Sequence, residues 1–169
     1  MFKKDSTAHR VKDFIVSDRF FNIYEDAESK ILWTDVDKSH NHLKYYLSDN
    51  YIPHSDKKGL LGFLYNFSQR LMFVYKRIVL SNQLKESRSV LDYGAGDGKF
   101  ANYLEKKGKK TFTYDPLKGS SSNSINLHQN TEFQVDMVMM WHVLEHIPDL
   151  KKIFPQILER VNKNGFLVI

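Results

Sequence analysis

The chain has 169 residues, 41% of them hydrophobic, and a formal net charge of +5. This length is typical of one domain with a small appendage. The absence of cysteine excludes disulfides and a cysteine-based zinc site. The sequence contains neither an apolar leader after Met1 nor a charge-free apolar stretch long enough to cross a bilayer, so we expect a cytoplasmic protein.

Residues 11–36 have the pattern of a β-hairpin. Two apolar and aromatic runs, Phe20–Tyr24 and Lys30–Thr34, flank a polar turn. A two-stranded hairpin is not stable by itself and must pack on another element. The sequence therefore predicts an N-terminal appendage at residues 1–55 and a main domain at residues 56–169.

Residues 39–54 are rich in tyrosine and histidine. Two interpretations fit this segment: it lines a substrate pocket, or it packs. His54 is a candidate general base because neutral imidazole accepts a proton near pH 7. Tyr51 is a candidate substrate contact. The histidines are not paired with carboxylates at a metal-binding spacing, so we predict no metal here.

Residues 60–80 predict the clearest helix of the chain, because apolar side chains recur at helical spacing. Charged residues interrupt the pattern, so the helix does not span a membrane. We expect it to cover the sheet of the main domain; the alternative is that it lies on a membrane surface. The apolar positions are Leu60, Phe63, Leu64, Phe67, Leu71, Val74, Tyr75 and Ile78.

Three glycines at alternate positions follow an apolar strand that ends in Asp92. Gly94, Gly96 and Gly98 are spaced unlike the dinucleotide fingerprint, and no Walker lysine follows them. Glycine permits positive φ and a close approach of the backbone, so we expect loop amides to meet a ligand. The acid before the loop disfavours phosphate and suits a ligand with an ammonium group.

The segment Ser89–Phe100, which contains these glycines, resembles motif I of class I S-adenosylmethionine-dependent methyltransferases. Two further segments within residues 136–149 are Asp-Met-Val and His-Val-Leu-Glu-His-Ile-Pro-Asp. They closely resemble the fourth-strand region of the ubiquinone-biosynthesis-type branch of these methyltransferases, which is the type 23-like branch. The resemblance implies an α/β fold with a Rossmann-like parallel sheet. It also implies S-adenosylmethionine as the cofactor and methyl transfer to an oxygen, nitrogen or carbon atom of a small-molecule acceptor.

The resemblance further implies a set of cofactor-binding residues. Asp115 closes the next strand, about 20 residues after the glycines, where an acid accepts hydrogen bonds from both ribose hydroxyls. The Gly/Ser/Asn-rich run at 119–124 departs from the family pattern, so no adenine-binding acid is assigned. The implied cofactor-binding residues are Asp92, Gly94, Ala95, Gly96, Gly98, Asp115, Pro116, Met140 and Trp141.

His142 is the second candidate general base, and it begins an H-x-x-E-H motif with Glu145 and His146. Inverted zinc proteases share this spacing, but they place the motif in the middle of a long helix. Here an apolar strand leads directly into the motif and Pro148 follows it. We therefore predict no metal at this position.

The remaining features concern partners. Four lysines between Lys106 and Lys110 fit a basic helix end better than a nucleic-acid patch, because no aromatic residues interleave with them. We predict a small-molecule acceptor as partner, without nucleic acid or membrane.

The chain closes with a predicted helix at 151–161, a turn at 162–165 and a fifth strand at 166–169. The class I fold usually continues with two more strands, so the sequence predicts a fragment, or a sheet edge covered by another chain through self-association. The shortened middle and the early end also favour an alternative function, a non-catalytic cofactor-binding or interaction module.

Overall fold

The protein is seen here as a computed structural model. It divides into two compact units, Met1–Asp56 and Lys57–Ile169. The first unit contains an antiparallel sheet and the second a parallel one. The structure describes residues 4–14, 18–28, 30–34, 60–116, 133–147 and 149–169.

The sheet of the first unit has the strand order β1-β2-β3. Its strands are β1 at Lys4–Lys12, β2 at Phe20–Asp26 and β3 at Leu32–Thr34. The predicted hairpin is confirmed as β2 and β3. Tyr24 lies opposite Trp33 across this pair, and their ring centroids are 5.1 Å apart.

The strand β1 begins earlier than the sequence predicts. Residues 4–10 are almost all polar and show no alternation of apolar side chains, so they lack the usual signal of a strand. Antiparallel pairing with β2 fixes them instead, with a register shift between Lys4 and Ala8.

The second unit contains four parallel strands in the order β5-β4-β6-β7. They are β4 at Ser89–Tyr93, β5 at Lys110–Tyr114, β6 at Val135–Met139 and β7 at Val161–Val168. This arrangement confirms the predicted α/β fold with a Rossmann-like parallel sheet. The central strands are apolar on both faces because both faces are buried. Their fully buried side chains are Val90, Leu91, Val135, Met137, Val138 and Met139.

Four α-helices and a short 3₁₀ helix accompany these strands in the described part of the second unit. They are α1 at Leu60–Val79, α2 at Ser81–Glu86, α3 at Lys99–Glu105, the 3₁₀ helix at Leu144–His146 and α4 at Leu150–Leu158. None of the helices within the described ranges combines the length and the apolar character that crossing a bilayer requires.

The helix α1 contacts the core with a different face from the predicted one. Phe73 packs against the buried cluster, and Leu80, directly after the helix, is part of that cluster. The predicted apolar stripe lies on the opposite side, since Phe63 is 67% exposed and Ile78 is 62% exposed. The side of α1 that carries Phe73 therefore contacts the core, and the predicted apolar stripe is not the side that does so.

The strand β7 includes the segment that the sequence predicts as a turn. Its pairing with β6 shifts register between Val161 and Phe166, so the intervening residues interrupt the regular pairing. Asn164 has a φ of +68°. At Gly165 an added Cβ would lie 2.7 Å from the carbonyl oxygen of Asp136. The asparagine and glycine thus lie in an irregular stretch within the strand.

Lys109, one of the clustered lysines, caps a neighbouring helix. Helix α3 ends at Glu105, before the cluster. The Lys109 ammonium donates hydrogen bonds to the carbonyl oxygens of Leu84 and Ser87, the latter at 2.7 Å. Carbonyls at the end of α2 lack partners within the helix, and this lysine satisfies them.

Asp136 joins three segments at the edge of the sheet where β4 and β6 begin. Its carboxylate accepts hydrogen bonds at 2.8 Å from the backbone amides of Arg88 and Ser89 and from the Asn162 side chain, and at 2.9 Å from the Ser89 hydroxyl. These donors lower the pKa of Asp136 to about 2, the Ser89 amide most of all. The ionised carboxylate is therefore part of the folded structure.

Asp136→Ala is expected to lower the free energy of unfolding by about 2–4 kcal/mol at pH 7, because it leaves donors without an acceptor. The pKa of Asp136 is depressed, so its contribution is present above the ordinary value of 3.8 and is lost as the pH falls through about 2. Urea denaturation between pH 7 and pH 3 measures this. The exposed Glu86→Ala control should change stability by less than about 0.5 kcal/mol. Equal stability of Asp136→Ala and wild type at pH 7 would contradict the assignment.

Candidate active site

Three segments meet at the carboxyl edge of the parallel sheet. The glycine loop follows β4, Asp115 follows β5, and Trp141 lies shortly after β6. These strands are neighbours in the sheet, since β4 pairs with both β5 and β6. Ligands of open α/β sheets bind at this edge. It is therefore the candidate site.

The glycines of the loop are required for different reasons. All three have positive φ, +79° at Gly94, +58° at Gly96 and +69° at Gly98. A Cβ at Gly94 would lie 2.3 Å from Val143, so close packing excludes a side chain there. A Cβ at Gly96 would have no atom within 4 Å. The space beside Gly96 is thus open to a ligand.

The loop amides are bound by the protein itself. Gly94 and Ala95 both donate to the carbonyl oxygen of Tyr114, at 2.7 and 3.1 Å. Gly96 donates to Asp115 Oδ2 at 2.7 Å, and Gly98 donates to the carbonyl oxygen of Ala95 at 2.9 Å. The expectation that these amides meet a ligand stays a prediction. They hold the loop against the end of β5.

Asp92 places a buried carboxylate under this loop. It is 6% exposed. Burial raises its pKa to about 7, and the nearby carboxylates of Asp115 and Asp97 raise it further, while the ammonium of Lys76 lowers it. Three carboxylates close together repel one another, so a cation bound among them would be stabilised. The electrostatics thus favour a positively charged ligand.

Lys76 brings the opposite charge to the same place from α1. Its Nζ lies 4.5 Å from the centroid of the Trp141 ring and 5.2 Å from that of Phe100. Burial lowers the pKa of Lys76, and the carboxylate of Asp92 raises it. The indole N–H of Trp141 is buried and has no hydrogen-bond partner in the described ranges. The site therefore combines a carboxylate with an ammonium held over two rings.

His142 stands at the same edge with its side chain exposed. Its backbone φ is +52°, which is uncommon for a residue other than glycine. Its Nδ1 lies 3.7 Å from Glu145 Oε1, and His146 Nε2 lies 3.9 Å from the same oxygen. Across the described residues no three histidines or carboxylates are grouped so that they could hold a metal ion.

A family model described as a methyltransferase domain matches residues 67–169, more than half of the chain. The chain belongs to this methyltransferase domain family. No curated protein matches it. Among solved structures, the chain is similar to a SAM dependent methyltransferase from Archaeoglobus fulgidus, with 20% identity and a TM-score of 0.48. The match covers 62% of this chain and 55% of the other, so the chain spans about half the length of that relative.

Family membership confirms the predicted family, and S-adenosylmethionine is the cofactor that this family implies. The residues of the chain fit such a ligand in two respects. The open space beside Gly96 permits close approach. The carboxylates near Asp92 suit a molecule that carries an ammonium and a sulfonium group.

The predicted site residues are placed as follows. Pro116 directly follows Asp115 and is exposed. The side chain of Met140 lies in the core, and its amide donates a hydrogen bond to the carbonyl oxygen of Val168. Neither its side chain nor its amide is therefore available to a ligand. Tyr51, His54 and the 119–124 run lie outside the described residues. The roles assigned to all of these stay predictions. The structure brings together Asp92, Gly94, Ala95, Gly96, Gly98, Asp115 and Trp141.

Sequence reasoning missed two contributors to the site of the methyltransferase. Lys76 entered only as a charge that interrupts an apolar helix. A lysine on the side of α1 opposite to its apolar stripe is the signal that could have identified it. The carbonyl of Tyr114, which binds two loop amides, has no sequence signal because every residue carries such a group.

Proposed function

We propose that the methyltransferase transfers the methyl group of S-adenosylmethionine to an oxygen, nitrogen or carbon atom of a small-molecule acceptor. The observation that carries the proposal is the buried Asp92 carboxylate beside the open glycine loop. The cofactor supplies an electrophilic methyl group that its sulfonium activates. The residues of the chain bind it, orient it and exclude water.

Asp92 is proposed to hold the cationic ammonium of the cofactor. Asp115 is proposed to accept hydrogen bonds from the ribose hydroxyls, in addition to the bond that it accepts from the Gly96 amide. It would thus fix the loop and the ligand at the same time. A change at Asp115 should therefore affect binding through both contacts.

His142 is proposed as the general base for an acceptor that carries a hydroxyl group. Its exposed imidazole at the site edge is accessible to an acceptor, and Glu145 lies close enough to orient the ring. His54 stays a second predicted base, and Tyr51 a predicted substrate contact. Assignment to the ubiquinone-biosynthesis-type branch is proposed on the 136–149 segment alone.

The partners of the methyltransferase are also proposals. We expect a small molecule as acceptor rather than nucleic acid. Self-association through the edge of the sheet is proposed for β7, which has β6 as its neighbour at one end of the described strand order. The cytoplasmic location stays a prediction from the sequence.

The direct test of the proposed function is titration calorimetry with S-adenosylmethionine and S-adenosylhomocysteine, followed by methyl-transfer assays on a panel of small acceptors. Binding with turnover is the expected result. Binding without turnover on any acceptor would favour the non-catalytic module. No binding of either ligand would refute the proposal.

Asp115→Ala is expected to weaken both cofactor forms alike, because the ribose is common to them. Loss of hydrogen bonds to a charged acceptor corresponds to about 1.5–3 kcal/mol for each bond. Calorimetry with both forms measures the effect. The exposed Asp149→Ala, at the start of α4, is the control and should bind normally. Unchanged affinity of Asp115→Ala would remove its ribose role.

A further inference from the structure

The ammonium of Lys76 is half-buried and has no acceptor in the described part of the chain. It lies over the rings of Trp141 and Phe100. No described residue accepts a hydrogen bond from it or forms an ion pair with it, although Asp92 is close enough to act on it electrostatically. An ammonium has three donors. Among the described residues, those donors are directed at no acceptor.

Burying a charge is costly unless it is paired. The two rings offset part of that cost through cation–π attraction. An apolar side chain in place of Lys76 would also pack on Trp141 and Phe100, and it would not require a charge to be removed from water. The position of this lysine is therefore better explained by an anionic partner that enters the site from outside the chain.

The rings place the ammonium beside the glycine loop. Phe100 is in the first turn of α3, directly after the loop, and Trp141 follows β6 at the same edge of the sheet. Asp92 lies at the end of β4, under the glycine loop. The site thus offers one negative and one positive group to a ligand. An amino acid carries the complementary pair, an ammonium and a carboxylate.

We propose that Lys76 binds the α-carboxylate of the methionine part of S-adenosylmethionine, while Asp92 binds the α-ammonium. This rests on the proposed function, because it assigns a residue to a ligand of the same site. This assignment gives Lys76 no role toward the adenosine part. The lysine therefore selects cofactor forms that carry the amino-acid end.

The test compares ligands with and without that carboxylate. S-adenosylhomocysteine carries it; 5′-methylthioadenosine lacks the amino-acid end, and decarboxylated S-adenosylmethionine lacks only the carboxylate. Lys76→Met keeps an unbranched apolar stem and removes the charge. It should weaken S-adenosylhomocysteine about tenfold or more and leave 5′-methylthioadenosine unchanged. Any change for decarboxylated S-adenosylmethionine should be much smaller, because Lys76 acts on that ligand only through the ionisation of Asp92. Lys76→Arg should recover part of the loss.

Lys110→Met is the matched control, because Lys110 also lies over a ring, that of Phe112 at 5.3 Å, but at the start of β5. It should bind all three ligands as wild type does. Circular dichroism checks that each variant is folded. If Lys76→Met does not fold, the wild-type preference for S-adenosylmethionine over its decarboxylated form tests the same contact, and equal affinities would overturn the proposal.

The outcomes separate this proposal from the proposed function. If Lys76→Met binds S-adenosylhomocysteine with the affinity of the wild type, the proposed role of Lys76 is overturned. The proposal that the protein binds this cofactor is then retained. An equal loss for all three ligands would show that Lys76 only supports the structure. Failure of the wild type to bind any of the three would refute both proposals together.

Discussion

Gly96→Val is expected to abolish binding of S-adenosylmethionine while the domain stays folded. An added side chain at Gly96 would have no protein atom within 4 Å of its Cβ, so it enters only the space that the ligand needs. The measurement is titration calorimetry, with circular dichroism to confirm folding. We expect no detectable heat of binding at ligand concentrations that saturate the wild type.

Gly108→Val is the matched control for this prediction. Gly108 also has a positive φ, +86°, and also has open space where a Cβ would lie, but it is in the turn after α3. Both variants therefore carry the strain of a branched residue in the left-handed region. If the two variants lose affinity equally, strain rather than ligand contact is the cause. Normal binding by Gly96→Val would place the site elsewhere.

Binding of S-adenosylmethionine is expected to strengthen as the pH rises from 5.5 to 7.5. The pKa of Asp92 is raised to about 7, so the ionised fraction grows from about 3% to about 75% over this range. Affinity should therefore increase roughly 25-fold. Above about pH 8 the α-ammonium of the ligand loses its own proton, which sets the upper limit of the test.

Asp92→Asn should bind weakly and with no pH dependence over the same range. The control is Asp97→Asn, because Asp97 is exposed and already paired with Lys99 at 2.8 Å; it should keep the wild-type dependence. Calorimetry at several pH values measures all three proteins. A flat profile in the wild type would exclude the Asp92 carboxylate as the group that binds the cation.

Without ligand, the same group should act on stability in the opposite direction. The pKa of Asp92 in the folded chain lies above its ordinary value of 3.8. Its contribution is thus fully present below that value and is lost as the pH rises through about 7, by up to about 1.4 kcal/mol per pH unit. Asp92→Asn should remove this part of the slope in denaturation experiments.

The sequence predicted those parts of the site that depend on neighbouring residues. The strand into Asp92, the alternate glycines and the helix after them are all consecutive, so spacing alone indicates a strand, a tight turn and a helix. Asp115 follows its own strand in the same way. Parallel pairing then brings the ends of β4 and β5 together without any further information.

Features that depend on tertiary contacts were not predictable in this way. The periodicity of α1 shows that the helix has an apolar side, but it does not show which side contacts the core. The cation over Trp141 joins residues 65 positions apart in the chain, Lys76 and Trp141. The Asn164–Gly165 pair indicates a turn in the sequence, but the reason for Gly165 is its close approach to the Asp136 carbonyl, which the sequence does not show.

The binding of loop amides to the end of β5 has a consequence for the thermodynamics of ligand binding. A loop that has to become ordered around its ligand loses conformational entropy at that moment, and the observed affinity is reduced accordingly. Here Tyr114 and Asp115 hold Gly94, Ala95 and Gly96 in place through the protein's own hydrogen bonds. The loop therefore becomes ordered when the protein folds and not when the ligand binds. The entropy cost of ordering the loop reduces the affinity for the ligand very little.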